Sequence, residues 1–180
     1  RQLQLPQPQI VVTQYAGQAR EAARQYAASG TPAALYACGG DGTLNELVQG
    51  AAGSANVAVG CVPCGSGNDY VRNFGAAGQA PFLDFAAQLQ AQPCRVDLLQ
   101  TSLGIGIDIC AAGLDAQVAY GIPKFRRLPG CGGTAAYTLS ILQAMLSRFG
   151  HKLRVAIDGK EYTGTYMMAA ICNGGYSSVS

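Results

Sequence analysis

Residues 33–50 read AALYACGGDGTLNELVQG: a short apolar run, a glycine pair, and then a helix-compatible run. The stretch from Ala33 to Ala37 suits a short buried strand, and the residues from Leu44 to Gln49 suit a helix. Strand, glycine loop, helix is therefore the order that this segment specifies. Glycine lets a backbone come close to a ligand and adopt positive φ, which leaves N–H groups free to point at phosphate oxygens. A helix that starts directly after the loop adds the positive end of its dipole. Gly39, Gly40, Gly42 and Thr43 meet those requirements, and Asn45 and Glu46 open the helix with polar groups. Asp41 adds a carboxylate able to hold a hydrated magnesium ion or to accept a proton. The loop is not a Walker A element, because no Gly-Lys-Ser/Thr follows, and neither Gly39 nor Gly65 begins a complete GxGxxG. Taken alone, it also reads as a tight strand-to-helix turn without a ligand.

Upstream, the β-branched run Ile10, Val11, Val12, Thr13 reads as a strand, and Ala16 to Ser29 as a helix that Gly30 ends. Downstream, Val57 to Val62 reads as another strand, broken by Pro63 with Gly65 and Gly67 before a short helical run from Asp69 to Asn73. Repeated units of this kind imply a parallel α/β sheet with ligands at the strand C-termini. The pattern changes near Val96. Leu103 to Cys110 reads as extended, and Ala135, Leu139, Leu142, Met145, Leu146 and Phe149 fall on one helical face. Leu153, Val155 and Ile157 alternate as in a strand, Asp158-Gly159 supplies a hairpin turn, and the return strand runs from about Lys160 to Cys172. The expected division is an α/β domain over 1–95 and a β-rich domain over 96–180.

The composition restricts function further. Hydrophobic residues make up 49% of the 180 residues and charged residues 12%, against about 25% charged in typical soluble chains. The chain is globular rather than disordered. A net charge of +2 without a dense basic stripe argues against nucleic acid as a partner. Apolar stretches are interrupted well short of the roughly 20 residues that a spanning helix needs, and no signal-peptide pattern opens the chain, so a cytoplasmic protein is expected. The cysteines, seven in number and widely spread, read as reduced thiols. Cys61 and Cys64 have CxxC spacing, but no second pair follows, and the one histidine, His151, begins a distant strand and reads as structural.

Two motifs together carry a family resemblance. GGDGTLNELVQG at 39–50 and GCVPCGSGNDYVRNFG at 60–75 resemble the paired signature of the diacylglycerol kinase catalytic domain. That family takes in bacterial soluble diacylglycerol kinases, YegS-like lipid kinases, sphingosine kinases and ceramide kinases. The likeness continues through Val96 and Asp97, GLDAQV at 113–118, Lys124, the helix at Tyr137 and ICNGG at 171–175, and so covers most of the chain. GGDG alone also occurs in NAD kinases and phosphofructokinases; the second motif is what makes the resemblance specific.

The resemblance implies a two-domain kinase of the NAD kinase/diacylglycerol kinase-like fold: an α/β nucleotide-binding domain with a parallel sheet, followed by a β-rich domain that accepts lipid. ATP and magnesium would occupy the cleft, and the hydroxyl of diacylglycerol or a related lipid alcohol would attack the γ-phosphate. By position, Gly40, Asp41, Gly42 and Thr43 would hold the phosphates, with Gly65, Ser66, Asn68 and Asp69 as the second wall. Ser66 stands where the family usually has Thr, and the hydroxyl is retained. Asp41 is the first candidate for general base or magnesium contact. Asp69 would position a metal-bound water or an arginine, or else simply face the helix dipole. Arg72, one turn later, would meet a phosphate. Asp97 matches a position in a structural magnesium network and equally reads as an ordinary strand-end carboxylate. Lys124, in PKFRRL at 123–128, matches a family position and suits an anionic substrate phosphate or a transient membrane contact; a solvated loop is the plain alternative.

Relative to the family, the chain begins without the opening strand and its Asn-Pro turn, and stops at Ser180 before a later acidic motif. It is therefore expected to be partial at both ends, and the catalytic base is either Asp41 or a residue of that later motif. Other readings are a soluble-substrate kinase such as an NAD kinase, or a lipid- or nucleotide-binding protein without catalysis. Oligomeric state, a homodimer included, is left open.

Overall fold

In the computed structural model the described residues are 7–75, 78–113, 121, 124–125, 138–140, 142–143 and 150–173. Most of the GLDAQV and PKFRRL segments, Tyr137, Gly174 and Gly175 lie outside them, as do Ala135, Met145, Leu146 and Phe149 of the expected helical face.

Strands β1 (Ala33–Gly39) and β2 (Val57–Pro63) pair in parallel, with Ala33 opposite Val57 and Gly39 opposite Pro63. Side chains alternate across such a pair. Ala37 and Cys61 therefore share one face and are buried against Leu44 and Val48 of α2 (Asp41–Ala51). Helix α1 (Gln18–Ser29) adds Ala19 and Ala23, which are one helical turn apart on one stripe. The two helices pack closely because Gly50 has no side chain: a Cβ there would sit 2.4 Å from the Arg20 carbonyl oxygen. Gly30 takes the left-handed conformation that ends α1, as its sequence position implies.

The opposite face of the strand pair is covered by short helices that the sequence patterns did not reveal. After α3 (Asp69–Arg72) come α4 (Ala80–Leu83) and α5 (Phe85–Gln90). Gln88 Nε2 donates to the Cys61 and Phe82 carbonyls at 2.8 and 2.6 Å, and the Tyr36 and Phe85 rings meet edge-on with centroids 4.9 Å apart. Helices on both faces of parallel strands make the described first half a layered α/β arrangement.

Several expectations are corrected. Ile10 to Thr13 forms no strand; Ile10 is 82% exposed and no ladder partner lies beside it among the described residues. β-branched composition favours extended backbone, but a strand needs a neighbour to satisfy its N–H and C=O groups. The residues before Asp97 are likewise irregular, and β3 begins only at Leu99. Leu103 to Cys110 is not one extended run. β3 (Leu99–Thr101) and β4 (Gly104–Gly106) form a hairpin, with Leu103 97% exposed at its tip and Gly104 at φ 138°, before β5 (Ile109–Gly113). Ile105 and Ile107 pack against the α/β core, so the second half of the chain contributes to the hydrophobic centre of the first. Of the expected apolar helix face, Leu139 and Leu142 are exposed, whereas the neighbouring Ser140 is buried with its hydroxyl against Gly121.

The expected hairpin is present. β6 (His151–Ile157) pairs antiparallel with β7 (Lys160–Tyr166), and Asp158 and Gly159 both have positive φ, 48° and 77°, as a two-residue hairpin turn demands. The return run is split, however. β8 (Met168–Cys172) leaves β6 and pairs antiparallel with β5, where Gly113 lets the Met167 carbonyl approach. Among the described residues no helix is long and apolar enough to cross a membrane.

Candidate functional site

The two glycine loops leave the same ends of β1 and β2 and touch. A Cβ on Gly65 would lie 2.4 Å from the Gly40 Cα, closer than any real side chain comes to a backbone. The loops are also laced together: the Cys64 N–H donates to the Gly39 carbonyl at 2.9 Å. Gly39 has a separate steric role, since the Thr43 hydroxyl folds back to within 2.6 Å of where its Cβ would be. The Thr43 N–H donates to the Gly40 carbonyl at 3.0 Å. Asp41 and Gly42, at the very start of α2, have N–H groups with no intrahelical acceptor. Gly42 is exposed, with open space where a Cβ would project.

Asp41 joins the two motifs. Its Oδ1 accepts the Tyr70 N–H at 3.2 Å, and its Oδ2 lies 3.2 Å from the position a Gly67 Cβ would take. Asn68 shapes the second loop from within. It is 5% exposed and left-handed at φ 57°; its Oδ1 accepts the Gly65 N–H at 2.9 Å and its Nδ2 donates to the Gly65 carbonyl at 2.8 Å. The amide of Asn68 is thus committed to the loop, whereas Ser66 is exposed. Asp69 pairs with Arg72 at 3.0 Å, both partly buried, so the carboxylate expected to position a metal-bound water or an arginine holds the guanidinium expected to meet a phosphate.

Other expected site residues sit differently. Glu46 Oε1 accepts the Gly17 N–H at 2.9 Å and so ties α2 to the entry of α1. Asn45 Oδ1 is buried without a hydrogen-bond donor among the described residues; an acceptor so placed suits a donor group, not a phosphate oxygen. Asp97 is exposed, and its carbonyl accepts the Asn173 Nδ2–H at 2.6 Å. Lys124 is exposed, and no described contact joins it to the glycine loops.

Sequence reading missed Asp108, which the fold brings beside this cluster. Its Oδ1 accepts Asn73 Nδ2–H at 3.2 Å. Burial pushes its carboxyl up, the Asn73 hydrogen bond opposes this, and the charges of Asp41 and Asp69 add to the rise. A lone carboxylate inside the apolar run from Ile107 to Ile109 was the available signal. Burial, and then the Asp41 charge, pushes the Cys61 thiol up to about 11. Tyr70 is pushed up to about 12, chiefly by burial. Cys61 is therefore a protonated core side chain, while Cys64 is exposed at the other end of the CxxC.

A groove of about 610 Å³ lies elsewhere, between residues 9–15, α1 and residues 31–33, and neither glycine loop lines it. Polar side chains of this groove pair with one another, the Tyr15 hydroxyl donating to Glu21 at 2.8 Å and the Tyr26 hydroxyl to Gln9 at 2.7 Å.

Parallel strands ending in two mutually locked glycine loops around one carboxylate define an α/β protein with a loop-built site at its strand C-termini. The chain belongs to the diacylglycerol kinase catalytic domain family, whose model matches residues 2–101. It is 29% identical over 135 residues to the diacylglycerol kinase of Bacillus subtilis strain 168, covering 74% of this chain and 44% of that protein. It is 33% identical over 134 residues to a "Probable lipid kinase YegS-like" of Chromohalobacter salexigens, covering 72% and 42% respectively. A solved "putative diacylglycerol kinase" of Bacillus anthracis str. Sterne shares the fold with a TM-score of 0.61 at 20% identity, covering 91% of this chain and 54% of that one. The chain thus spans less than half the length of these curated relatives.

Proposed function

We propose that this chain is the nucleotide-binding part, with the beginning of the acceptor part, of an ATP- and magnesium-dependent kinase acting on diacylglycerol or a related lipid alcohol. The observation that carries the reading is the contact between Gly40 and Gly65, which closes two glycine loops around Asp41 beside an open helix start at Gly42. Family membership supports it. Residues 1–95 are assigned to the nucleotide and 96–180 to a β-rich acceptor domain, with Ile105 and Ile107 of the β3–β4 region keyed into the nucleotide side. Transient contact with a membrane surface would bring the acceptor.

The residues fit the cofactors. The absent Cβ at 42 leaves open space beside the first N–H groups of α2 for phosphate oxygens, and the absent Cβ atoms at 40 and 65 let the two loops close on each other. Asp41, Asp69 and Asp108 against Arg72 leave an excess of negative charge that a cation would relieve. Among the described residues no three acidic, histidine or cysteine side chains converge as a metal cage. Magnesium keeps several waters and binds through one or two carboxylates together with substrate phosphates, a role assigned to Asp41. When bound with ATP, it supplies charge neutralisation at the transferring phosphoryl group.

The roles left to the chain are mainly positioning. Asp41 orients the second loop through Tyr70 and sets its other oxygen beside Gly67. Asp41 is assigned to cation and phosphate positioning. Arg72, steadied by Asp69, offers N–H groups to a phosphate. Lys124 and Asp97 remain proposals from family position, for acceptor and structural magnesium contacts.

The test is transfer of labelled γ-phosphate from ATP with magnesium to a panel of lipid alcohols in mixed micelles by the full-length protein, with NAD as a control acceptor. Labelled lipid is expected. Labelled NAD alone would favour a soluble-substrate kinase, and ATP binding without transfer would favour a binding protein.

A further inference from the structure

Asp108 occupies the bend between β4 and β5, with the buried Ile107 before it. A carboxylate here is costly, since it is half-buried and repelled by Asp41 and Asp69. A neutral acceptor would satisfy the Asn73 amide as well. The backbone that carries it is nevertheless held firmly. The Asp108 carbonyl accepts the Asn173 N–H at 2.7 Å, and the Asn173 side-chain amide donates to the carbonyls of Ile107 at 3.0 Å and Asp97 at 2.6 Å. Asn173 lies at the end of β8, so three separate segments of the second half converge on this bend.

Helix α3 is consequently gripped at both ends by carboxylates from different parts of the chain. Asp41, from the first glycine loop, holds the Tyr70 N–H at its start. Asp108, from the β4–β5 bend, holds Asn73 at its close. Four residues make a helix too short to hold its own orientation. Its two ends are fixed by tertiary contacts, and between them stand Asp69 and Arg72.

We propose that Asp108 is a positioning residue for phosphate transfer: through Asn73 it fixes α3 so that Arg72 and Asp69 present to the nucleotide, and it registers the second half of the chain to the glycine loops. The proposal rests on the kinase reading above. It assigns Asp108 no contact with substrate.

The experiment compares full-length wild type with Asp108→Ala, Asn73→Ala and Asp108→Asn, which keeps an acceptor oxygen for the Asn73 amide and leaves the Asn73 bond to the Tyr70 carbonyl in place. Two readouts are taken: hydrogen exchange of the Tyr70 to Phe74 amides without nucleotide, and KM for ATP against kcat and the lipid KM. Asp108→Ala and Asn73→Ala are each expected to speed exchange in α3 by about 10-fold or more. They should also raise the ATP KM on the order of 10-fold, with a smaller change in the lipid KM. Asp108→Asn should keep most of the protection and of the ATP affinity. Unchanged α3 exchange, or an unchanged ATP KM, in folded Asp108→Ala would overturn the proposal, as would an Asp108→Asn variant no better than Asp108→Ala. Should Asp108→Ala fail to fold, Asn73→Ala and Asp108→Asn decide alone. Absence of phosphate transfer by wild type would instead sink the kinase reading, and the exchange measurements would still decide whether Asp108 fixes α3.

Discussion

Asp41 and Tyr70 are the hinge point of the site: the carboxylate of the first glycine loop accepts, at 3.2 Å, the backbone N–H near the start of the helix that follows the second. One side chain thereby couples two motifs, and its loss has both a structural and a functional consequence. Asp41→Asn keeps an acceptor oxygen but removes the charge, so stability should fall by only about 1 kcal/mol. On the proposed kinase reading, phosphate transfer should fall by about 100-fold or more, because the carboxylate assigned to hold magnesium at the phosphates is lost. Denaturant titration and the labelled-phosphate assay on the same preparations separate the two effects.

Glycines at two neighbouring positions should respond in opposite ways. Gly65→Ala places a Cβ 2.4 Å from the Gly40 Cα, and the resulting loop displacement should cost about 1–3 kcal/mol. Gly42→Ala meets open space within α2 and should stabilise the fold by about 0.5–1 kcal/mol, since alanine is the better helix former. The same Gly42→Ala should weaken ATP binding if phosphate approaches that backbone. Thermal melts with and without ATP and magnesium distinguish them.

Asn68 is a buried residue in the left-handed region that satisfies both polar backbone groups of Gly65. Asn68→Ala loses both hydrogen bonds and is strained at positive φ, for an expected loss of about 2–3 kcal/mol. Asn68→Gly relieves the strain but not the lost bonds and should fall between. Equilibrium urea unfolding gives the order.

The pH dependence of stability follows from Asp108. Its carboxyl is raised in the folded state by burial first, and by Asp41 and Asp69. The folded protein therefore binds this proton more tightly than the unfolded chain, whose carboxyl titrates near about 3.9. The stabilisation from the protonated form is fully present below that value and is lost as pH rises through the folded pKa. Asp108→Asn should then gain stability relative to wild type above this window and show no such gain well below it. A series of melts from acid to neutral pH reads the difference, and a difference constant across pH would count against it.

Thiol reactivity should divide the CxxC pair. Cys61 is buried with its thiol pushed up to about 11, whereas Cys38 and Cys64 are exposed. At pH 8 alkylation mapped by mass spectrometry should modify Cys38 and Cys64 and spare Cys61 until the protein is unfolded.

Local chemistry made the glycine loops, the Gly30 cap and the Asp158-Gly159 turn readable, since each is set by the conformational freedom of residues adjacent in sequence. The order strand, loop, helix, strand followed from the same signals, and so did the family. Ile10 to Thr13 shows where that logic stops. Its β-branched composition is a strand signal, yet a strand is completed only by a neighbour's hydrogen bonds, and the described fold supplies none beside it. Likewise, composition could not show that Lys160 to Cys172 divides between two partners, because pairing depends on which edge is available.

The sequence by itself determined which loop positions lack a side chain, Gly40, Gly42 and Gly65, and which charges stand near them, Asp41 and Asp69. Only the tertiary structure decided how those residues are used. It commits Asn68 to Gly65 and Glu46 to Gly17, and it gives one oxygen of Asp41 to Tyr70. It also brings Asp108 to Asn73 across 35 positions and Asn173 to Asp97 across 76. The physical reason is range. Backbone freedom is a property of a residue and its neighbours, whereas a hydrogen bond between distant segments exists only once packing of the apolar core has brought them together.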